Sequence, residues 1–358
     1  MKKKILISTG GSGGHVIPAT IFYDHLKKNF DVFFCSDKRG SKFLNLNKYP
    51  IKIINTPKLK LNIFTLPFNL VKIFLLTVKA LMFLKKKKIN ILISTGGYMS
   101  LPLCLAAKFI NIDIYLFEPN MVLGRANKLF LKFSKKIFCY SNNIKNFPSK
   151  FLKKIVLIEF LLREEFYSVK NHNNTNIKNQ INLLIIGGSQ GAKVFDLTLK
   201  NTILDLSKKY KLKVIHQTNF LNYKDLKEFY NKNNIINVIF DFDENILKYI
   251  KGANLAITRA GASTLSELTF LNIPFLAIPF LAAKDNHQYE NALLYKEKNC
   301  CWLLKQDELN QESLSKILHS IIEKHDDYLE KKNNMKKFSY QNTWNEINQK
   351  LISIINEY

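Results

Sequence analysis

Arginine is nearly absent from this chain. Of its 54 basic residues only Arg39, Arg125, Arg163 and Arg259 are arginine. Lysine cannot copy the bidentate grip of a guanidinium on phosphate or carboxylate, so each of the four stands out. Acidic residues are also the minority, 28 against 54, leaving a formal net charge of +26. That balance favours an anionic partner: nucleic acid, an acidic membrane surface or a phosphorylated substrate. A lysine- and asparagine-rich drift in composition carries much of the charge, so it does not choose among them. No RNA- or DNA-binding motif is present. The five cysteines, Cys35, Cys104, Cys139, Cys300 and Cys301, include no CxxC and sit mostly in apolar runs. They read as reduced core residues of a cytosolic protein. The GxxxxGK[ST] pattern is missing, which excludes a P-loop. The first glycine loop opens at residue 10, too early for a signal peptide ahead of it.

What is there is enough for two domains. The chain has 358 residues, 47% of them hydrophobic, so each half can bury a real core. In the first half, short apolar runs alternate with helical patterns: 5–9, 31–35, 51–55, 91–95, 114–117 and 136–140. Alternation of this kind predicts a parallel sheet covered on both faces. Residues 168–182 are polar and asparagine-rich, a linker or surface loop. The pattern then restarts with "INLLIIGGSQGA" at 181–192, followed by strands near 213–218, 237–242, 254–258 and 274–280. The expected fold class is α/β: two Rossmann-like domains, residues 1–162 and 163–340, facing a cleft. The last segment, 341–358, reads as an amphipathic helix.

Each half opens with a glycine turn. "GGSGGH" (10–15) and "GGSQGA" (187–192) both run from a strand into a helix. Such turns bring backbone N–H groups and the positive end of a helix to an anion. Neither keeps GxGxxG spacing with an acidic residue placed for a ribose, so neither is a dinucleotide fingerprint. A third turn, "TRAGASTLSEL" (258–268), expects Glu267 in the first turn of a helix, as a cap or as an acceptor of two ribose hydroxyls. A fourth, "PFLAAKDNHQYENA" (279–292), offers Asp285 as an N-cap and Gln288 as an amide for sugar hydroxyls. "DFDEN" (241–245) contains Asp241-x-Asp243, a divalent-metal pattern in some sugar-transferring enzymes. With no further carboxylate cluster or ligand histidine, helix capping is the favoured reading.

Residues 63–84 are apolar over roughly the 20 residues that a bilayer needs. Pro67 interrupts them early, and Lys72 and Lys79 fall on one helical face. "KKKK" follows at 85–88. A membrane span, a buried helix with one solvated face and a helix that docks on a membrane surface all fit.

Taken together and in order, "GGSGGHVIPA", "STGGYMSLP", "GGSQGA", "RAGASTLSEL" and "PFLAAKDNHQYENA" resemble the MurG family over nearly the whole chain. Members add N-acetylglucosamine to an undecaprenyl-diphosphate-linked muramyl peptide (lipid I), making lipid II for peptidoglycan. The resemblance implies a GT-B fold, inverting transfer from UDP-N-acetylglucosamine and no required metal or other cofactor. It implies a peripheral enzyme at the cytoplasmic face of the inner membrane, with an anionic lipid surface and no nucleic acid among its partners. It makes 1–162 the acceptor-binding domain, with 341–358 packing back on it, and 163–340 the donor domain. Carried over by motif, Ser189 faces the donor diphosphate and Ala262, Ser263, Thr264, Leu265, Ser266 and Glu267 wrap the nucleotide, Glu267 on the ribose. Backbone near Asp243 reads uracil, Gln288 holds the sugar and Arg163 stands at the domain junction. In the first domain Ser12, Gly13, Gly14, His15 and Asn120 line the cleft. His15 is a candidate general base and Glu118 its rival. Two departures stand out: Phe117 and Pro119 replace the His and Gln of the family's His-Glu-Gln-Asn, and "EFLLR" (159–163) keeps only Arg163 of its Gly-Asn-Pro segment. A soluble UDP-sugar enzyme on the same scaffold, such as a UDP-N-acetylglucosamine epimerase, is the alternative. A binding protein built on a decayed enzyme is a third possibility.

Overall fold

A computed structural model describes residues 2–57, 66–169, 176–188 and 191–357. It divides into two compact units: residues 1–161 with 343–358, and residues 162–342.

The first unit opens with β1 (Lys4–Ser8), α1 (Gly13–Leu26), β2 (Asp31–Ser36) and β3 (Ile51–Ile53). Then come α2 (Leu66–Lys87), β4 (Ile91–Ser94), α3 (Ser100–Phe109), β5 (Asp113–Glu118), α4 (Arg125–Phe130), β6 (Lys136–Cys139) and β7 (Ile155–Leu157). The strands form one sheet in the order β3-β2-β1-β4-β5-β6-β7, every pair parallel. Ile5, Leu6 and Ile7 are consecutive and fully buried. A strand covered on both faces needs a continuous apolar run rather than alternation.

The second unit starts with the short α5 (Glu164–Tyr167) and repeats the plan: β8 (Ile181–Ile186), α6 (Lys193–Lys209), β9 (Leu212–Gln217), α7 (Phe220–Lys232) and β10 (Ile236–Phe240). After these come α8 (Leu247–Ile250), β11 (Leu255–Thr258), α9 (Ala262–Phe270), β12 (Phe275–Ala277), α10 (His287–Glu297), β13 (Cys301–Leu303), α11 (Gln311–Glu323) and α12 (His325–Phe338). Its parallel sheet runs β10-β9-β8-β11-β12-β13. Its core gathers Leu183, Ile185, Leu199, Ile203, Val214, Ile257, Leu314 and Leu318. The last helix, α13 (Trp344–Asn356), returns to the first unit and lies on α1. There the Trp344 ring stacks on buried His25, centroids 3.6 Å apart.

In each sheet the strand order reverses once, between β1 and β4 and between β8 and β11. The crevice beyond the carboxyl ends of strands at such a switch point is where open α/β sheets take ligands.

Several expectations need correction. The edge strands β7 and β13, three residues each, were not among the expected strands. The units divide at 161/162, one residue from the expected 162/163, and residues 170–175 of the asparagine-rich stretch lie outside the described residues. Pro67 does not interrupt α2 but sits in its first turn, where a missing N–H costs nothing. Nor is α2 a buried helix: only Ile73, Thr77, Ala80 and Leu84 are buried. Phe68, Leu70, Val71, Phe74, Leu75, Val78 and Met82 are exposed. Residues 63–65 lie outside the described part.

Candidate active site

The two switch points gather most of the residues singled out from sequence, each within its own unit. In the first, the loop after β1 turns at Gly11, whose φ of +88° suits glycine. Ser12 is the N-cap of α1 and makes no side-chain cap bond, so its hydroxyl is not spent on the helix. Gly13, Gly14 and His15 form the first turn, which carries no acidic residue. The buried Asp37 carboxylate at the end of β2 accepts the Gly11 N–H (2.9 Å) and the Gly40 N–H (2.7 Å) and pairs with Arg39 (2.9 Å). Burial would raise the pKa of Asp37, but these donors outweigh it and hold the carboxyl below its usual range.

His15 bridges to the other side of the switch point. Its Nδ1–H donates to the Thr95 carbonyl after β4 (2.8 Å), and the Thr95 hydroxyl donates to the His15 carbonyl (2.9 Å). With Nδ1 as donor, the neutral imidazole carries its lone pair on Nε2. Gly96, at φ +96°, packs against the ring: a Cβ there would lie 3.1 Å from His15 Cε1.

Glu118 ends β5 and is buried. One oxygen accepts the Asn120 backbone N–H (3.3 Å) and its Nδ2 (2.9 Å); the other accepts the Gly124 N–H (2.7 Å) and Asn127 Nδ2 (3.0 Å). Four donors shape the 119–124 loop around this carboxylate. Its neighbour Phe117, where the family pattern has histidine, is a core side chain edge-on to Phe22.

In the second unit the turn after β8 is tight. A Cβ on Gly187 would meet the Ala192 nitrogen at 2.4 Å, and Gly188 and Gly191 take φ of +79° and +67°. Ser189 lies outside the described residues. Across the switch point, Gly261 caps α9, and Ala262, Ser263 and Thr264 form its half-exposed first turn. Leu265 and Ser266 do not share that surface. Both are buried, as is every residue from there to Phe270, and the Ser266 hydroxyl donates to the Ala262 carbonyl (2.9 Å). Glu267 is not in the first turn and caps nothing. It is the sixth helical residue, buried, and ion-paired with Arg163 Nη2 at 2.8 Å. Burial raises its pKa, and Arg163 offsets this only in part. Arg163 Nη1 also donates to the Glu244 carbonyl, so residues distant in sequence meet at one guanidinium.

Asp243 does not cap α8, whose N-cap Ile246 has no side-chain partner. Its carboxylate accepts the Asn245 N–H (2.8 Å) and the Tyr249 hydroxyl (3.1 Å) and pairs with Lys248. Among the described residues no cluster of His, Cys, Asp or Glu is arranged to hold a metal ion. Asp285 is not the cap of α10 either; Asn286 is, with both residues at positive φ. Gln288 Oε1 accepts the Phe280 N–H (2.8 Å).

Arg259 was not assigned a role from sequence. It follows β11 directly and is buried, with its guanidinium over the rings of Phe195 (4.8 Å) and Phe280 (5.3 Å). Nη1 donates to the Ile278 carbonyl and Gln306 Oε1, both neutral, and burial lowers its pKa to about 10. Its scarcity as one of four arginines was the available signal. Asn291, which donates to the Ala260 carbonyl (3.0 Å), had none.

Residues 5–139 match the glycosyltransferase family 28 N-terminal domain, and residues 182–347 match the glycosyltransferase family 28 C-terminal domain. A protein of Pelagibacter ubique is 54% identical over the full length of both chains. It is named UDP-N-acetylglucosamine–N-acetylmuramyl-(pentapeptide) pyrophosphoryl-undecaprenol N-acetylglucosamine transferase. The chain belongs to the MurG family. The crystal structure of Acinetobacter baumannii MurG superposes with a TM-score of 0.78 at 22% identity, covering all of both chains. A UDP-N-acetylglucosamine 2-epimerase from Neisseria meningitidis gives 0.66 at 14% identity, covering 99% of this chain and all of that one. A likeness that remote shows a shared fold. As in MurG proteins, two parallel-sheet α/β domains of the GT-B class carry the chain.

Proposed function

We propose that this chain transfers N-acetylglucosamine from UDP-N-acetylglucosamine to the undecaprenyl-diphosphate-linked muramyl pentapeptide, with inversion. The full-length match to the Pelagibacter transferase carries this reading. The geometry supports a division of labour. The second unit takes the donor: Glu267 accepts the ribose hydroxyls and Arg163 aligns that carboxylate. The glycine turn with Ser189, and the N–H groups of Ala262, Ser263 and Thr264, receive the diphosphate. Backbone beside Asp243 reads uracil and Gln288 holds the sugar. Leu265 and Ser266 support the helix from its buried side.

The first unit takes the acceptor. Ser12, Gly13 and Gly14 face its diphosphate with Asn120 nearby in function. His15 Nε2 accepts the proton of the attacking hydroxyl. The acceptor oxygen forms the new bond to the anomeric carbon as the bond to UDP breaks on the opposite face. The charge leaves on the diphosphate, where helix N-termini and turn amides stabilise it. Glu118, bound by four donors, acts as a positioning carboxylate rather than as the base.

The enzyme works as a peripheral protein at the cytoplasmic face of the membrane. The exposed apolar face of α2, with Lys85, Lys86, Lys87 and Lys88 at its end, supports docking on an anionic surface. The deciding assay follows labelled UDP-N-acetylglucosamine with a lipid I analogue, scoring transfer and free UDP separately, with and without chelator. Acceptor-dependent transfer that survives chelation is expected. UDP release without transfer, or epimerised sugar, would overturn the reading.

A further inference from the structure

The end of β9 braces Gly187, where the glycine turn after β8 begins, and the first turn of α6 that follows the turn. Gln217, the last residue of β9, accepts the Gly187 N–H with its side-chain oxygen (3.1 Å). Its neighbours on either side, His216 and Thr218, face the first turn of α6. There Asp196, in the first turn of α6, is buried. The Thr218 hydroxyl donates to Asp196 Oδ2 (2.8 Å), and Asn222 Nδ2 donates to the same oxygen (2.7 Å). His216 Nε2 lies 3.2 Å from Asp196 Oδ1, and its Nδ1 lies 2.9 Å from the Tyr230 hydroxyl.

Tyr230 donates to Nδ1 of a neutral His216, whose Nε2 stays 3.2 Å from Asp196 Oδ1 without a hydrogen bond to it. Burial keeps the fully buried His216 from charging, and the donors around Asp196 outweigh its own burial and keep it ionised. A fixed carboxylate at this helix start opposes an anionic ligand there. An apolar residue would fill the space without that repulsion. What the carboxylate adds is direction: two donors, Thr218 just after β9 and Asn222 in α7, fix the first turn of α6 in one orientation relative to Gly187.

We propose that Asp196, held by Thr218 and Asn222, is a positioning residue for the donor diphosphate, fixing the first turn of α6 relative to Gly187. The inference rests on the reading of the glycine turn as the diphosphate seat. It concerns residues behind the seat and touches no substrate atom.

The test compares ligands that differ only in phosphate. UDP and uridine affinities are measured by calorimetry for the full chain and for Thr218→Val, Thr218→Ser and Asp196→Ala, with a melting curve for each. Valine fills the volume of threonine, so Thr218→Val keeps the fold measurable where Asp196→Ala does not. In the parent chain UDP should bind at least tenfold tighter than uridine. Thr218→Val should weaken UDP roughly tenfold while changing uridine less than twofold, and raise KM for the donor. Thr218→Ser should restore both. Equal loss for UDP and uridine, or no loss for either, would overturn the positioning role and leave the diphosphate reading standing. Equal affinities in the parent chain would overturn that reading itself, and the inference with it.

Discussion

Glu267 is a carboxylate whose desolvation opposes its ionisation. Burial raises its pKa, and the Arg163 guanidinium at 2.8 Å restores only part of the preference for charge. A raised carboxyl pKa contributes stability below the unfolded value of about 4.3 and loses it as pH rises through the folded value. At neutral pH the ionised side chain is therefore no net gift to the fold, and its worth lies in binding. Glu267→Gln keeps an oxygen for Arg163 but loses the charge. UDP affinity should fall by about 1.5–3 kcal/mol, as for a charged hydrogen bond, with the melting temperature little changed. Calorimetry that finds unaltered UDP affinity would remove Glu267 from the ribose. In the parent chain UDP affinity should weaken as pH drops through the raised pKa. His15 belongs to the other half of the reaction. His15→Ala should lower turnover about 10²–10⁴-fold with UDP affinity unchanged. A loss under tenfold would return the proton to Glu118 or to solvent.

At the scale of elements, α1 and α13 are joined by a buried imidazole. His25 is fully enclosed, stacks on Trp344, and receives the Asn348 amide on its carbonyl (2.7 Å). Burial lowers its pKa to about 3, with Asp24 opposing. A depressed histidine pKa gives stability that is complete above the unfolded value of about 6.5 and is lost as pH falls toward 3. The slope should reach about 1.4 kcal/mol per pH unit. His25→Phe keeps a ring for Trp344 but has no proton to bind. Denaturant titrations at pH 7 and pH 5 should show the parent losing more stability than the variant; identical losses would count against His25 as the titrating group. The second element is α2. Its exposed Phe68, Phe74 and Leu75 would each gain about 1.5–3 kcal/mol if fully buried in a lipid surface. Changing all three to Ser should abolish vesicle flotation and turnover on a membrane-embedded acceptor. Turnover on a short-chain soluble acceptor should survive, and its loss would point to misfolding.

The whole molecule carries +26, and its basic residues act on a membrane only within a Debye length of about 8 Å at physiological salt. Each lysine near an anionic surface contributes about 1 kcal/mol. Replacing Lys85, Lys86, Lys87 and Lys88 with Gln should weaken binding to anionic vesicles and flatten its salt dependence. Co-sedimentation that is equal on neutral and anionic vesicles, at low and high salt alike, would refute the electrostatic part. Resistance of the bound protein to alkaline carbonate would revive a spanning α2, whose length and composition suffice to cross a bilayer.

The sequence by itself determined what repeats and what is local. Apolar runs such as Ile5–Ile7 and Leu183–Ile186, each followed by a glycine turn and a helical pattern, read as strands covered on both faces, so two parallel sheets and their glycine turns were legible. The edge strands β7 and β13 were not, although β3, equally short and also at a sheet edge, was. The candidate site divides the same way. Ser12 to His15 and the start of α9 follow from chain-local turns. The partners of Glu267 and Glu118 do not. Arg163 reaches Glu267 from 104 positions away, and Glu118 takes its donors from three residues whose spacing follows no helix or strand. Which side of α9 faces the core, and so removes Leu265 and Ser266 from the ligand surface, was fixed by packing. The same holds for α2, whose composition fits a core, a surface or a bilayer. Among the described residues its apolar face stays exposed, and burial is a property of what surrounds a helix and not of the helix alone.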